Sequence, residues 1–596
     1  MTTATPGTLC AALADTVRDR GDLPAYSDRH GEGGWRTLTW GELYEQVLDL
    51  AAGLVRLGLQ PGDTVALMAS NRTEHVLADL AVVHAGGTPM TVYATLAPAQ
   101  VAYIAQHSTP SVVVLEGADQ LARWAEALEA HPVKAVVVID EDVVTDQVVA
   151  WSDLRKVGAE HRATAADECE KRIAGVVPEQ PLTILYTSGT TGSPKGVVLT
   201  HRNVLFEAQS SAATAGLVGP GRSVSYLPFA HIAERVLGMY IPQVQGGHVY
   251  LLDDPAALPA TLAEVRPTRF FGVPRVWEKV MAGVSALLAA KADDRVTQAL
   301  ASGLAWVEAQ ENGGVVPPDL AERFAAADEA VLRGLRALLG LDQVEWAASA
   351  AAPMPLEVAR FFAGLGIVVY DVYGMTETCG SVTANSPGGF RLGSVGRAQE
   401  GIEVVLADDG EILVRGPVVT PGYFRAPEAT ADLIDEDGWV RTGDIGRFDE
   451  DGYLYVIDRK KEMIITSSGK NVAPSNIENL LKESPLVGHA YVAGDAKPYV
   501  VALLTLDPDM APVVAAKMGV DATGLRELST HPQVLAAVQE AVDAANARLS
   551  RPEQVKRFAL LSDEWTAESE ELTPTLKLKR RVVSSKYDDV LAELYA

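Results

Sequence analysis

The chain has 596 residues, of which 48% are hydrophobic and 21% charged, a composition typical of a folded protein with about four modules of roughly 150 residues. A disordered tail and a small disulfide-stapled scaffold are excluded. The 50 lysine and arginine residues face 78 aspartate and glutamate residues, and the net charge of −28 repels polyanions. We therefore expect no nucleic acid partner, and any phosphate ligand must be held in a locally basic or amide-lined pocket.

Cysteine usage and apolar runs indicate the compartment. Cys10, Cys169 and Cys379 lie far apart and form no CxxC pair, so neither a disulfide framework nor a zinc site is expected. The first residues lack a basic stretch followed by an apolar run, and no window approaches the roughly 18 apolar residues of a membrane span. We expect a cytoplasmic protein without a transmembrane segment, while peripheral membrane contact and the oligomeric state stay open.

The first clear element is a predicted helix at residues 37–59. Thr39 and Glu42 form a capping-box pattern, apolar residues follow at helical spacing, and Gly58 is expected to end the helix. This helix belongs to the scaffold, and no chemistry is implied.

Short β-branched runs follow at residues 63–70, 110–116 and 134–140, and they alternate with helical stretches such as 74–87. This alternation predicts a parallel sheet flanked by helices. Because the runs are apolar throughout, we expect them to be central strands.

The second half of the chain has a different pattern. Residues 281–340 are rich in alanine at helical spacing, so we expect a helical excursion between strand-bearing segments. From about residue 400, short strands and turns indicate a smaller β-rich unit.

The end of the chain reads as an α+β unit. A strand-like run is followed by a helix for which Ser475 and Glu478 predict a second capping box. The sequence thus predicts an α/β fold with a large N-terminal domain of helix-flanked sheets, a β-rich subdomain within it, a hinge, and a small mobile α+β C-terminal domain. The expected bounds are 1–457 for the N-terminal domain, about 390–457 for its subdomain, 458–461 for the hinge and 462–596 for the C-terminal domain.

The strongest local signal is a run of hydroxyl and glycine residues between two β-like stretches, at residues 182–201. Glycines let the backbone turn several amides toward one point, while hydroxyl groups and a lysine add donors and charge, so a phosphate is the natural occupant. The run is not a Walker A loop, because Pro194 stands where that motif has its second glycine. The candidate phosphate-binding residues are Thr187, Ser188, Gly189, Thr190, Thr191, Gly192 and Lys195.

The string YTSGTTGSPKGV within this run resembles the phosphate-binding loop of the acyl-adenylate-forming superfamily, which includes acyl-CoA synthetases, peptide-synthetase adenylation domains and beetle luciferases. A second string, YDVYGMTET, is similar to the next element of that family. By this resemblance Tyr373 stacks on adenine, Thr376 bonds the α-phosphate, and Glu377 holds a magnesium ion. The resemblance makes the N-terminal domain an adenylation domain and the C-terminal domain its lid.

Two further strings follow in the order of the family. RTGDIG looks like the ribose-binding element, whose carboxylate, here Asp444, accepts bonds from both ribose hydroxyls. In DRKKEMIITSSGKN, the resemblance implies that Arg459 reaches the ribose or a phosphate and that Lys461 is the hinge residue. It also places Gly469 where the pantetheine of coenzyme A passes.

The string ELTPTLKLKRR is similar to the family segment that carries the catalytic lysine, which aligns with Lys577. Leu576 stands where the commoner pattern has glycine, a variant associated with the long-chain acyl-CoA branch. Lys577 and Lys579 share one face of an extended strand, so Lys579 is the competing assignment.

Three segments favour long-chain acyl substrates. YLPFAHIAERV resembles the segment whose histidine, here His231, borders the acyl pocket, and FFGVPRVWEKV resembles a segment of long-chain synthetases. SAAAPM is similar to the segment beside adenine and the acyl group, which brings Ala350 and Ala351 to the pocket, with Ala350 in place of the usual glycine. His231 is also a thiol base by residue type, but we prefer its pocket-lining role.

The resemblance implies a long-chain fatty acid–CoA ligase. A carboxylate is a poor electrophile, so ATP with Mg²⁺ converts it to acyl-AMP and pyrophosphate, and coenzyme A then takes the acyl group. The alternatives are an acyl-AMP ligase that loads an acyl carrier protein, a luciferase-like oxidase and a non-catalytic nucleotide-binding protein. A serine esterase is disfavoured because the sequence has no GxSxG.

Overall fold

The computed structural model of the chain describes residues 7–29, 33–145, 147–187, 194–289, 293–522, 524–566, 568–573 and 577–596. Across these ranges, no helix is both long enough and apolar enough to cross a bilayer.

The first part of the chain alternates helices and short strands. Its helices are α1 (Leu9–Arg20), α2 (Trp40–Arg56), α3 (Thr73–His84), α4 (Pro98–Ser108), α5 (Ala118–Ala130), α6 (Trp151–Thr164), α7 (Ala166–Ala174), α8 (His201–Thr214), α9 (Ile232–Arg235) and α10 (Ile241–Gln245). A π-helical turn, Val236–Tyr240, joins α9 to α10. Its strands are β1 (Pro24–Asp28), β2 (Arg36–Thr39), β3 (Thr64–Met68), β4 (Thr88–Thr91), β5 (Val112–Leu115), β6 (Ala135–Val138), β7 (Val149–Ala150), β8 (Pro181–Thr187), β9 (Lys195–Thr200), β10 (Arg222–Ser225) and β11 (His248–Leu251).

The middle of the chain begins with a helical region and continues into strands. Its helices are α11 (Leu258–Val265), α12 (Pro274–Ala289), α13 (Asp294–Glu308), α14 (Pro318–Ala327), α15 (Arg333–Leu338), α16 (Leu356–Gly364) and α17 (Pro427–Leu433). Its strands are β12 (Arg269–Phe271), β13 (Trp346–Ser349), β14 (Val369–Met375), β15 (Gly380–Ala384), β16 (Arg397–Ala398), β17 (Glu403–Leu406), β18 (Glu411–Arg415), β19 (Gly422–Tyr423), β20 (Val440–Phe448) and β21 (Leu454–Arg459).

The last part holds five strands and six helices in its described residues. The strands are β22 (Ile464–Ile465), β23 (Asn471–Val472), β24 (Val487–Ala493), β25 (Val500–Leu506) and β26 (Val555–Leu561). The helices are α18 (Pro474–Leu481), α19 (Met510–Lys517), α20 (Leu525–Leu528), α21 (Pro532–Ala547), α22 (Arg580–Lys586) and α23 (Asp588–Tyr595).

Local sequence signals placed helix α2 correctly. The Glu42 N–H donates to Thr39 Oγ1 at 3.2 Å, and the Thr39 N–H donates to the Glu42 carboxylate at 2.9 Å. The predicted capping box is therefore confirmed. The chain leaves the helix through Gly58 at φ +92°, a backbone angle that favours glycine.

The predicted parallel sheet is also confirmed. Strands run in the order β4-β3-β5-β6-β7, and each neighbouring pair is parallel. β3 and β5 are buried along their whole length, as expected of central strands. The predicted helical excursion corresponds to α12–α15 and begins at Pro274, earlier than expected, because proline is well suited to the first turn of a helix.

A second mixed sheet positions the site. It has the order β12-β13-β14-β15-β16, with β12, β13 and β14 parallel and the last two strands antiparallel. The β-rich region predicted from about residue 400 contains the antiparallel sheet β17-β18-β20-β21.

The second predicted capping box is wrong. Helix α18 starts at Pro474, and Ser475 lies inside its first turn. The N–H and hydroxyl of Ser475 donate to the Asp458 carboxylate at 2.8 and 2.9 Å, so Asp458 satisfies the helix terminus from outside. Glu478 accepts instead from the Val492 N–H and from Arg580, both at 2.7 Å. Hydrogen bonds to distant segments of the chain thus replace the predicted capping box of Ser475 and Glu478.

Buried apolar side chains group on either side of the predicted hinge. In the described residues, one set of clusters ends at residue 456 and the other starts at Ile464. The second set packs β24, β25 and β26 against α18 and α21 around residues such as Ile477, Leu504 and Val538. Residues 464–596 thus have apolar cores of their own.

Candidate functional site

A cavity of about 1940 Å³ lies where the first part of the chain meets residues 461–596. Parallel strands β13 and β14 end side by side, so residues at their carboxyl ends meet at one edge of the sheet. Most of the described residues that the resemblance singles out line this cavity. They are Thr187, His231, Ala350, Ala351, Tyr373, Thr376, Glu377, Asp444, Arg459, Lys461 and Lys577.

The predicted ribose carboxylate sits in a bonded group. Tyr373 at the end of β14 donates its hydroxyl to Asp444 Oδ2 at 2.6 Å, and Arg459 Nε lies 2.9 Å from Asp444 Oδ1. Asp444 and Arg459 pair across β20 and β21. Burial raises the pKa of Asp444 above its usual range, although the Arg459 charge opposes this shift.

The phosphate-loop prediction falls partly outside the described residues. The positions concerned are Ser188, Gly189, Thr190, Thr191 and Gly192. The flanking strands β8 and β9 form an antiparallel hairpin in which Thr187 pairs with Lys195. Thr187 therefore lines the cavity at the end of β8, and Lys195 begins the return strand.

Lys195 is linked to the predicted magnesium ligand through one aromatic ring. Its Nζ lies 4.8 Å from the centre of the Tyr423 ring, and the Tyr423 hydroxyl donates to Glu377 Oε1 at 2.8 Å. Glu377 is buried in the 3₁₀ turn Thr376–Thr378 that follows β14. Tyr423 thus contacts both the lysine and the carboxylate.

Lys577 reaches the centre of the cavity from the C-terminal part of the chain. The Thr573 N–H donates to the Lys577 carbonyl at 2.7 Å, and Leu572 pairs with Leu578 shortly before α22. Lys577 lines the cavity, and part of its surface is exposed there. Burial and the Arg459 charge lower the pKa of Lys577, whereas Asp444 and Glu377 act in the opposite direction.

Lys579, the competing assignment, also lines the cavity. Its backbone N–H donates to the Glu571 carbonyl at 2.7 Å. The electrostatic influence of Asp444 and Glu377 falls on Lys577, so the structure brings Lys577 to the predicted nucleotide residues.

His231 caps helix α9. Its Nδ1 accepts a hydrogen bond from the Ala233 N–H at 3.2 Å, so the proton of the neutral ring is on Nε2. Burial, with a smaller effect from Lys577, lowers the pKa of His231 to about 3. A ring this hard to protonate is a weak base, which favours the pocket-lining role.

Ala350 and Ala351 follow β13 at the cavity wall. Ala351 has φ +75°, in the left-handed region that is unfavourable for a residue with a Cβ atom. Such strain is often found at functional sites, where surrounding structure holds the backbone.

The two residues predicted for the second reaction are placed differently. Lys461 lies in the turn between β21 and β22 and lines the cavity. Gly469 lies in the exposed turn between β22 and β23 at φ +75°, and it is not among the residues that line the cavity. The structure therefore brings Lys577, and not Gly469, to the site.

Sequence reasoning missed Asp371. This residue lies two positions before Tyr373 on β14, lines the cavity and is buried. Burial raises the pKa of its carboxyl well above the usual range. The available signal was its spacing from Tyr373, because alternate residues of a strand share one face.

Comparisons with known proteins agree with this arrangement. Residues 13–424 match the AMP-binding enzyme family, and residues 461–596 match the AMP-binding enzyme C-terminal domain. The long-chain-fatty-acid–CoA ligase FadD15 of Mycobacterium bovis is 34% identical over 593 residues, which cover 98% of this chain and 97% of that protein. The long-chain-fatty-acid–CoA ligase ACSBG2 of Xenopus laevis is 32% identical over 99% of this chain and 84% of its own length.

Among solved structures, the adenylation domain of a carboxylate reductase from Mycobacterium chelonae superimposes with a TM-score of 0.75 at 23% identity. The match covers 99% of this chain and 92% of that one. At this identity the likeness is one of fold.

Proposed function

The chain belongs to the AMP-binding enzyme family, and from this premise we propose that it is a long-chain fatty acid–CoA ligase. It activates a fatty acid with ATP to acyl-AMP and pyrophosphate, and then transfers the acyl group to coenzyme A. Relatives that bear this name match almost the whole chain.

The observation that supports this function best is the position of Lys577. It comes from the C-terminal part of the chain, yet it lies within electrostatic range of Asp444 and Glu377 from the first part. A cation, a ribose-binding carboxylate and a metal-binding carboxylate at one cavity are what an acid and a nucleoside triphosphate need to react.

In the first half-reaction the fatty acid carboxylate attacks the α-phosphate, and pyrophosphate leaves. Negative charge builds up on the acyl and α-phosphate oxygens, and the ammonium of Lys577 stabilises it. Asp444 holds the ribose, because each of its oxygens has a further lone pair beyond the bonds to Tyr373 and Arg459. Thr187, Thr376 and Lys195 supply donors for the phosphates.

The residues present fit one magnesium ion. Glu377 Oε1 accepts the hydrogen bond of the Tyr423 hydroxyl, so Glu377 Oε2 would hold Mg²⁺, and phosphates and water would supply the other ligands. When bound, the ion neutralises triphosphate charge.

The acyl chain lies along the apolar side of the cavity. Ala215, Leu217, Leu237 and Ala350 line the cavity and pack in one apolar cluster. His231 borders this side as a neutral ring. An apolar wall of this kind binds a hydrocarbon chain by removing it from water.

In the second half-reaction the thiol of coenzyme A attacks the acyl carbonyl of acyl-AMP, the bond between the acyl group and the phosphate breaks, and AMP and the thiol proton are released. We assign residues 1–457 to an adenylation domain, 458–461 to a hinge and 462–596 to a mobile lid. Rotation about Lys461 withdraws Lys577 and presents the turn with Gly469 to the thiol substrate. The exposed position of Gly469 supports this assignment, because it leaves that turn free for another arrangement.

A substrate panel tests the function. Purified protein with magnesium and ATP is given saturated fatty acids of increasing length, and pyrophosphate, AMP and thioester are measured with coenzyme A, with an acyl carrier protein, or with neither. We expect acid-dependent pyrophosphate release and a thioester with coenzyme A. A thioester formed with carrier protein alone would support the acyl-AMP ligase instead, and the absence of AMP with every acid would overturn both.

A further inference from the structure

A polar cluster interrupts the apolar wall of the cavity. Glu207 and Ser211 are four residues apart and share one face of α8, Ala215 follows directly after the helix, and all three line the cavity. Ala215 belongs to the apolar cluster with Leu237 and Ala350 that lines the acyl side. The polar side chains thus lie beside the proposed path of the fatty acid.

The cluster is built around one carboxylate oxygen. Glu207 Oε1 accepts hydrogen bonds from the Ser211 and Ser381 hydroxyls, both at 2.7 Å, and from the Ser381 N–H at 2.8 Å. The Gln399 amide donates to the Ser381 hydroxyl oxygen, and Gln399 also lines the cavity. Glu207 is 1% exposed, whereas the two serines keep part of their surface open. The serines therefore form the accessible part of the cluster.

In this arrangement, some oxygen atoms of the cluster can still accept a hydrogen bond but have no donor. The Ser211 and Ser381 hydroxyl oxygens also lie 2.7 Å apart, and either hydroxyl can donate to the other. In each arrangement both hydroxyl hydrogens bond within the cluster, so Ser211 Oγ keeps at least one lone pair for the cavity. Glu207 Oε2 has no hydrogen-bond partner among the described residues. A plain hydrocarbon chain supplies no donor, and a polar group covered by it loses its hydrogen bond to water.

We propose that Ser211 and Ser381, oriented by Glu207, form a subsite that selects acyl chains carrying a hydrogen-bond donor, such as a hydroxyl group. The inference rests on the proposed ligase function and names its substrate class: hydroxylated long-chain acids in preference to unsubstituted ones. Ser211 and Ser381 contact the substituent, and Glu207 is a positioning residue that keeps their hydrogens turned away from it.

The first test compares matched acids. Pairs of one chain length, with and without a single hydroxyl group, are assayed by pyrophosphate release while the hydroxyl position is moved along the chain. We expect kcat/KM to be roughly tenfold higher for the hydroxylated acid at one or two positions, the effect of one well-formed hydrogen bond. Equal or lower values at every position would overturn the subsite while leaving the ligase function intact. No pyrophosphate release with any acid would overturn both.

The second test uses serine variants. In Ser211→Ala and Ser381→Ala, the ratio of hydroxylated to plain kcat/KM should fall to about one, because the acceptor is gone. Ser210→Ala is the matched control, since Ser210 lies on the same helix and donates to Gln399 at 3.0 Å but does not line the cavity. It should keep the preference. If Ser210→Ala lost the preference for the hydroxylated acid to the same extent, that result would contradict a direct contact of Ser211 and Ser381 with the hydroxyl group.

The third test separates orientation from packing. Glu207→Gln keeps the size of the side chain but supplies hydrogens, so the serine hydrogens can turn toward the cavity. The preference should then shift from the hydroxylated acid toward the acid with a ketone, an acceptor, at the same position. A purely structural role predicts that both acids lose activity by the same factor, and that result would refute the role of Glu207.

Discussion

At the scale of single residues, the environment of Lys577 lowers the pKa of its amine. Burial and the positive charge of Arg459 lower its pKa, whereas the carboxylates Asp444 and Glu377 attract its positive charge. A charge held in this way is stabilised when negative charge develops beside it.

Replacing Lys577 should therefore stop the first half-reaction. In Lys577→Ala, ATP–pyrophosphate exchange driven by a fatty acid should fall about a hundredfold or more, on the order of 3 kcal/mol. Lys579→Ala is the control for the neighbouring lysine and should fall much less. Undiminished exchange in Lys577→Ala would remove this lysine from the mechanism.

The lowered pKa of Lys577 predicts a pH dependence. The charged amine is the active form, so exchange should decline as the pH rises through a value below that of an ordinary lysine. Lys577→Arg, which stays charged, should lose this alkaline decline even if its rate is lower. An identical decline in both proteins would show that another group titrates.

Ala351 carries local strain at the cavity wall. Its φ of +75° is unfavourable for alanine and neutral for glycine, so Ala351→Gly should raise the free energy of unfolding by about 1 kcal/mol. Ala352→Gly is the matched control, because that position has no positive φ and should lose stability slightly. Thermal midpoints of the two variants measure the difference, and a lower midpoint for Ala351→Gly would contradict it.

At the scale of elements, the turn between β21 and β22 is anchored on one side. Lys460 donates its N–H to the Gly443 carbonyl at 2.8 Å, and its amine lies 2.8 Å from Glu411. Lys461 is exposed and lies next to this fixed point. A rotation of the following residues is expected to occur at Lys461.

Fixing this turn should separate the two half-reactions. Lys461→Pro restricts the backbone dihedral, so pyrophosphate exchange should continue while thioester formation falls strongly. Lys461→Ala removes the side chain but keeps backbone freedom, and it should form thioester. Equal loss of both half-reactions in Lys461→Pro would refute the hinge.

At the scale of the whole molecule, ion pairs join the two parts of the chain. Arg275 pairs with Asp507, Lys279 lies 2.9 Å from Asp509, and Glu357 lies 3.5 Å from Arg548. These pairs exist in the arrangement that places Lys577 in the cavity. Breaking these ion pairs should favour the proposed second arrangement, in which Lys577 is withdrawn from the cavity.

A charge reversal tests this balance. Lys279→Glu should lower pyrophosphate exchange relative to thioester formation by about twofold to fivefold, because exposed ion pairs contribute less than about 1 kcal/mol. Adding Asp509→Lys should restore the ratio, and high salt should weaken the effect. Arg415→Glu, which breaks a pair with Glu403 inside the first part, is the control. If the ratio does not change in Lys279→Glu, the ion pair between Lys279 and Asp509 does not stabilise the arrangement with Lys577 in the cavity.

The sequence predicted what depends on neighbours along the chain. Thr39 and Glu42 cap α2 because both partners lie in one turn, and the apolar runs of β3 and β5 are buried because period and composition are local properties. The same reasoning was wrong at Ser475, because a carboxylate from Asp458 competes for the helix terminus. Sequence reasoning also missed the Glu207 cluster and Asp371. Neither hydrophobic periodicity nor local composition shows which distant side chain a polar group will contact.

By itself, the sequence determined the α/β fold, the order of the elements and the chemical types of the candidate site residues. Only the tertiary structure decided that Lys577, and not Gly469, lines the cavity, that Asp444 is bonded to Tyr373 and Arg459, and that Ser211 and Ser381 lie beside its apolar residues. The reason is physical. Helices, strands and caps depend on short-range geometry, whereas the meeting of distant residues depends on how all the apolar surfaces pack at once.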